Sequence, residues 1–325
     1  MIDHIALIRK DQEERDRLKE IYLQASDLKN VENQTEEICV AAVGIDARQF
    51  AYVKDKTYRV CLQVVYFHGE MLRYVENQTR RICLRAVKSH PEALKYVKEQ
   101  TEEICIAAVK VFGCALEYVK KQTEEICLEA VKTCGSALKH VINQTEEICI
   151  EAMKSSGILG QVKNQTERIC IEAVKVNAFS IEDVKNKTDE IYLKAVENNP
   201  RVLKCLWYVP YEAAIVAVEK NGMVLRYLKK QTEEMCMIAV KQTCWALRYA
   251  QKQNDEMCLI AVKENGRTLR YVKNQTDEIC IVAALSGLRE GSCDKVIEMI
   301  RDPLRRERVM NRVGPSSLRM IKAAR

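Results

Sequence analysis

The richest source of reactive groups in this chain is its fifteen cysteines. Thiolates can pair as disulfides, hold soft metals or act as nucleophiles. Ten of them fall at one recurring place: Cys39, Cys61, Cys83, Cys105, Cys127, Cys149, Cys170, Cys236, Cys258 and Cys280. Tyr192 and Ala214 take that place twice more. No Cys-x-x-Cys pair and no Cys/His spacing accompanies them, so zinc is not indicated. A thiolate ladder for a soft metal would need paired spacing that is missing. Reduced cysteines packed as small hydrophobes fit better, in a reducing compartment and without disulfides. The four histidines, His4, His68, His90 and His140, are scattered. His140 merely takes the phase of Tyr96 and Tyr118. There is no Gly-rich phosphate loop and no Gly-x-Ser-x-Gly. These observations predict no catalytic, cofactor-binding or metal residue, no small-molecule substrate, and a non-enzymatic protein.

The elements that position the cysteines are repeats. Each cysteine lies four residues after a marker, and the markers are Thr35, Thr57, Thr79, Thr101, Thr123, Thr145, Thr166, Thr188, Pro210, Thr232, Asn254 and Thr276. Every step is 22 residues except Thr145 to Thr166, which is 21. A fixed period of this size is the signature of a solenoid.

Each unit reads as two helices. Thr123 is a good N-cap, and Glu124 and Glu125 follow where the helix dipole favours negative charge. Ile126, Cys127, Ala130 and Val131 make a helical apolar stripe, not the alternation of a strand. Gly135 then breaks the chain, a phase shared by Gly69, Gly113, Gly222 and Gly266 and by Pro91 and Pro200. A shorter helix such as Ala137-Leu138-Lys139-His140-Val141 completes the unit. Neither helix is long enough to be stable alone in water, so stacking must bury both stripes.

At 47% hydrophobic and 30% charged residues, the chain can bury a core and stay soluble. No run of eighteen apolar residues predicts a membrane span, and Met1-Ile2-Asp3-His4 does not open a signal peptide. Six Asn-x-Thr sequons, at Asn33, Asn77, Asn143, Asn164, Asn186 and Asn274, are all the same inter-helix turn. They read as turn and cap chemistry, not glycosylation.

The predicted fold is all-α: an α-solenoid of about twelve 22-residue helix-turn-helix units with N- and C-terminal caps. Residues 1–29 form the N-terminal helical cap. There Leu18, Ile21, Tyr22 and Ala25 continue a stripe, and Asp11-Gln12-Glu13-Glu14 is a degenerate marker. Residues 30–286 form the solenoid, irregular at 157–160 and 205–211. Residues 287–325 form a basic helical cap. The one-residue deletion near Gly157-Ile158-Leu159-Gly160 should bend the stack or change its pitch.

Two places carry candidate function. At Cys205-Leu206-Trp207-Tyr208-Val209-Pro210-Tyr211, aromatic residues replace polar turn positions, in a chain only 6% aromatic. Trp207, Tyr208 and Tyr211 read either as local core or as an exposed partner anchor, the usual composition of a hot spot. The tail holds ten Lys/Arg against five acids, which is five of the chain's six net positive charges. Its candidate basic patch is Arg301, Arg305, Arg306, Arg308 and Arg312. The run is interrupted and lacks aromatics to stack on bases, which favours a solvated cap.

Charge is also periodic along the body. Lysines nine after the marker, from Lys88 to Lys263, and cations six before it, from Arg73 to Arg270, form basic ladders. Acidic ladders run beside them, one and two after the marker, and neighbouring units could pair the two sets. A groove tracking phosphates is the rival reading. At the phase six after the marker, glutamates such as Glu129 give way to Val216, Ile238, Ile260 and Val282, which suits a partner-facing surface.

The words Leu94-Lys95-Tyr96-Val97-Lys98-Glu99-Gln100-Thr101-Glu102-Glu103-Ile104-Cys105-Ile106-Ala107-Ala108-Val109-Lys110 closely resemble an uncharacterised helical repeat family. It is abundant in mimivirus-like giant viruses and some amoeba-associated bacteria. The resemblance covers about residues 26–285. It implies a helical scaffold of giant-virus origin and supplies no mechanism. The reading of the whole is a repeat scaffold or adaptor for a protein partner or self-association, with no membrane role. A nucleic-acid binder using the lysine ladders and the tail is the second reading. The expected compartment is the cytoplasm, of an infected host cell if the origin is viral, with the virion as the other destination.

Overall fold

A computed structural model describes residues 2–155 and 157–314, with side chains from residue 14 onward. Among them there is no strand. The fold is an all-α repeat solenoid. It divides into two compact units, Met1–Asn164 and Gln165–Arg325, and each is described by itself. Within each, every helix packs on the next one along and on the short segments that flank it.

The repeat helix is built as its sequence dictates. In Glu124–Thr133 the Thr123 hydroxyl accepts the Ile126 N–H at 3.4 Å. Ile126, Cys127, Ala130 and Val131 are the buried face. The same cap recurs at Thr35, Thr57, Thr79, Thr101, Thr145, Thr166, Thr232 and Thr276, and an Asn254 side chain substitutes once. Thr188 makes no such bond.

The second element is the shorter helix expected, and its type is new. It is a six-residue 3₁₀ helix, as in Gly135–His140, that starts at the glycine. Between the two elements one residue turns extended, such as Cys134 at φ −153°, ψ 109°. In several units an Asn at this place caps the 3₁₀ helix, as Asn221 does for Met223 N–H. The glycine is therefore not a break but a close approach. A Cβ on Gly113 would sit 2.4 Å from Ala130 O, and one on Gly222 would sit 2.4 Å from Ala239 O, each on the next unit's helix. A 3₁₀ segment has poor internal bonding and tolerates only short runs. It needs outside partners for its last carbonyls.

One side chain supplies them. Gln100, just before its marker, donates from Nε2 to Leu94 O of its own unit at 3.0 Å and to Tyr118 O of the next at 2.9 Å. Its Oε1 accepts the next unit's Lys120 N–H at 2.9 Å and the Cys105 thiol at 3.9 Å. Gln34, Gln78, Gln122, Gln144, Gln165, Gln231 and Gln253 likewise reach a carbonyl and an amide of the following unit. The cysteine series thus lies against this staple. Three units lack it, at Lys56, Lys187 and Val209.

The 21-residue step is absorbed in the 3₁₀ helix, shortened to Leu159–Gln161, and Gln144 still spans it to Gln161 O and Lys163 N–H. The N-terminal cap is one helix, Ile2–Ser26, followed by Leu28–Asn30. The stripe expected there is only partly used. Ala25 is buried, but Leu18 and Tyr22 are exposed, because the next unit meets the helix near its C-terminal end. The reading of Asp11-Gln12-Glu13 as a degenerate marker lies outside the described side chains. At the other end, Asp277–Arg289 is extended by three residues over the usual helix, and Cys293–Glu298 and Pro303–Val313 follow. Gln275 applies the same staple to this tail, through Met299 O at 3.1 Å and Arg301 N–H at 3.0 Å.

Gln100→Ala strands the Lys120 amide and the Tyr118 carbonyl, since Leu94 O keeps the Val97 N–H, and should cost about 3 kcal/mol at the usual penalty for unmet groups. Thr101→Ala should cost about 1 kcal/mol, the ordinary loss of an N-cap. Hydrogen exchange should localise the first loss to Lys120 N–H and its neighbours. Equal destabilisation by the two changes would show that the glutamine is no more than a surface turn residue.

Candidate functional site

The aromatic break lies wholly in the second unit. The helix Tyr211–Lys220 starts at Pro210, which offers no side-chain cap. Trp207 is 82% exposed, Tyr208 55% and Tyr211 47%. Tyr208 stands edge-on to buried Tyr192 with ring centroids 6.2 Å apart, and Trp207 tilts against Tyr208 at 6.3 Å. The Tyr211 hydroxyl donates to Glu234 of the next unit. That carboxylate raises the tyrosine's pKa. Trp207 and Tyr208 are in ring contact, and Tyr211 follows three residues on. Tyr208 is anchored from below, Tyr211 is tethered at its tip and Trp207 projects into solvent.

Beneath them is a cavity of about 260 Å³ lined by Trp207, Tyr208, Val209, Ala214, Tyr227, Lys229 and their neighbours. Its position follows from the repeat. Val209 stands where the staple glutamine belongs and Ala214 where its cysteine partner belongs. Both are smaller than the residue they replace, and both line the cavity.

The basic patch has a different role. Arg305 Nε and Arg308 Nε reach the two oxygens of Asp277 at 2.7 and 2.9 Å. Arg301 donates to Val272 O at 2.9 Å and Lys273 O at 3.1 Å. Arg306 donates to Ile300 O at 2.6 Å. Three of the five arginines therefore tie the tail to the last repeat, Arg306 bonds within the tail, and Arg312 is exposed. Arg319, Lys322 and Arg325 lie outside the described residues. Arg308 and then Arg305, by hydrogen bonding, pull the Asp277 carboxyl down to about 2.

The basic ladders are engaged too, with partners the sequence reading did not assign. Lys132, Lys154 and Lys175 pair with the glutamate three residues before them at 2.7–3.2 Å, and Lys110 with Glu129 of the next unit at 3.4 Å. The first glutamate of the marker often accepts the next unit's threonine hydroxyl instead, as Glu102 does from Thr123 at 2.6 Å. Cations of the second ladder sit between rings. Arg248 lies 5.6 Å from the Tyr249 ring and 5.7 Å from Tyr271, and Lys95 lies 5.1 and 5.5 Å from Tyr96 and Tyr118. Such stacks use charge inside the scaffold.

None of the fifteen cysteines is disulfide-bonded. Burial raises the repeat thiols, Cys258 and Cys280 to about 11. Cys134 is the exception. It is half-buried, 3.0 Å from the Ser136 hydroxyl, and that hydrogen bond lowers its pKa.

A family model described as a domain of unknown function (DUF4116) matches this chain three times, at residues 79–123, 101–144 and 232–275. The first two matches are offset by one repeat, so each takes in two units. The aromatic break falls between the matched stretches. No curated protein and no solved structure matches. No helix among the described residues is long and apolar enough to cross a membrane, and they hold no His/Cys/Asp/Glu cluster suited to a metal.

Two outcomes follow. With iodoacetamide at pH 7.5, Cys134 should react first and the ten repeat cysteines only after denaturation, because buried, raised thiols are scarcely ionised. Mass spectrometry reads the order, and early labelling of most repeat cysteines would overturn it. The second concerns Asp277. A depressed folded pKa stabilises above the ordinary value of 3.8 and is lost as pH falls through about 2. Asp277→Asn should therefore raise hydrogen exchange across 303–313 at neutral pH, and wild type should match the variant only near pH 2. Identical exchange at pH 7 would mean the pair does not hold the tail.

Proposed function

We propose that this chain is a non-enzymatic repeat scaffold that binds a protein partner through Trp207, Tyr208 and Tyr211. The observation that carries this is the 82% exposure of Trp207 at a turn that is polar in the neighbouring units. A bare indole beside two half-exposed phenols has the composition of a binding hot spot, and burying it against a partner is favourable. The rings are also held in place: Tyr208 by the buried Tyr192, Tyr211 by Glu234. A held surface loses little side-chain entropy on binding. Self-association through the same rings is the homotypic form of this function.

Nucleic-acid binding is the competing function. Most of the cations it would use already face a glutamate, a ring or a backbone carbonyl. The resemblance of the repeat words to a giant-virus family supports a viral source and the infected host's cytoplasm as the compartment.

Trp207→Ala combined with Tyr211→Ala should weaken partner capture or a homo-oligomer contact at least tenfold, with helicity and melting temperature nearly unchanged. Circular dichroism and sizing of the double variant measure both. A large fall in melting temperature with intact association would make the rings core and end this reading. Titration with bulk RNA adds the other arm: a steep loss of binding with salt would favour the nucleic-acid function, since phosphate contacts release counterions.

A further inference from the structure

The cavity under Trp207 is a vacated glutamine slot. In the intact units, one carboxamide donates to a carbonyl of the following 3₁₀ helix and accepts an amide two residues later. Gln231, for example, engages Tyr249 O at 3.1 Å and Gln251 N–H at 2.9 Å. For the unit at Pro210 the corresponding groups are Tyr227 O and Lys229 N–H, and both residues line the cavity. Among the described residues neither group has a protein hydrogen-bond partner, because Val209 can neither donate nor accept.

The other two lost staples are different. Lys56 and Lys187 turn their ammonium groups inward to Val53 O and Val184 O of their own units, at 3.3 and 2.6 Å. Neither reaches the carbonyl and amide of the following unit, but each fills its place with a long side chain, whereas at Val209 the side chain is short and both residues of the pair line one cavity.

The geometry points to a binding site for a primary carboxamide: the side chain of a glutamine on an extended segment of the protein partner. This inference rests on the partner-contact reading and names what that contact recognises. The slot offers one donor and one acceptor in the spacing that the chain's own glutamines complete. Its mouth is flanked by Trp207 and Tyr208, which would cover the glutamine's stem and the adjoining peptide. A carboxylate of the same shape can accept from Lys229 N–H but has nothing to donate to Tyr227 O. A site that leaves a polar partner unmet discriminates strongly against such an analogue.

The probe is a pentapeptide, Ala-Ala-Gln-Ala-Ala, acetylated and closed by an N-methylamide so that its only primary amide is the side chain. Its glutamate counterpart carries the same caps. On the full-length protein, the glutamine peptide should slow hydrogen exchange at Lys229 N–H and shift its NMR resonance. The glutamate peptide should bind at least tenfold more weakly. Val209→Gln restores the repeat's own residue. It should protect Lys229 N–H without peptide and weaken the glutamine peptide at least tenfold. Equal binding of the two peptides, no effect of either on Lys229, or peptide binding that survives Val209→Gln would each overturn the proposal. The two readings separate. Partner capture lost in the Trp207→Ala, Tyr211→Ala variant but indifferent to Val209→Gln keeps the aromatic contact and rejects the slot. A glutamine-selective slot, with capture indifferent to the ring substitutions, keeps the slot and rejects the aromatic contact.

Discussion

Nine of the twelve repeats carry one glutamine that finishes the hydrogen bonding on both sides of a junction at once. The constraint behind it is the 3₁₀ helix. A six-residue segment such as Gly113–Tyr118 cannot satisfy its own last carbonyls, and the chain beyond it is extended. Buried peptide groups left unmet cost more than a made bond returns. Gln100 removes that deficit by bonding Leu94 O behind it and Tyr118 O and Lys120 N–H ahead. The donor and acceptor of one amide fit a carbonyl and an N–H two residues apart, so unit-to-unit spacing is set by covalent geometry as well as by apolar packing. The close approach at Gly113 and the interunit fit of the helices are consistent with that spacing.

The cysteines make sense in this frame. A small apolar side chain is wanted on the helix stripe, and its weak S–H donor lies against the glutamine oxygen. No reactivity is required of it, and burial pushes these thiols away from ionisation. The C-terminal tail reuses the device. Met299 and Arg301 offer Gln275 the same carbonyl and amide, although the chain between is no longer a repeat. Arg301, Arg305 and Arg308 then complete the closure onto the last repeat.

Much of this architecture was legible in the sequence. The threonine caps, the Ile-Cys-x-x-Ala-Val stripe and the period all express local rules that a single helix obeys. The second element reads only as a shorter helix, because six residues carry too little periodicity to separate 3.6 from 3.0 per turn. The lysine partners were missed because Glu129 and Glu151 lie in a phase that varies between units, whereas the constant marker glutamates drew the pairing. The staple was the larger omission. Its partners are backbone groups about twenty residues away, and a backbone group leaves no mark in sequence. One trace existed: Lys187 with Tyr192, and Val209 with Ala214, lose the glutamine and the cysteine together.

That paired loss bears on why the aromatic site sits where it does. Two consecutive units give up the staple, at Lys187 and Val209. Part of the deficit is offset locally. Tyr192 fills the cysteine place and supports Tyr208, and Tyr211 bonds Glu234 across to the next unit. The remainder is an exposed indole, an open cavity and two unmet backbone groups. A solenoid selected for stability alone would have kept Gln, Thr and Cys at these positions, since the regular units show that they fit. Departures that forgo local stability and gather along one stretch of chain are characteristic of functional surfaces. The repeat supplies the control for its own exception: every feature of the site is the regular unit with named side chains exchanged.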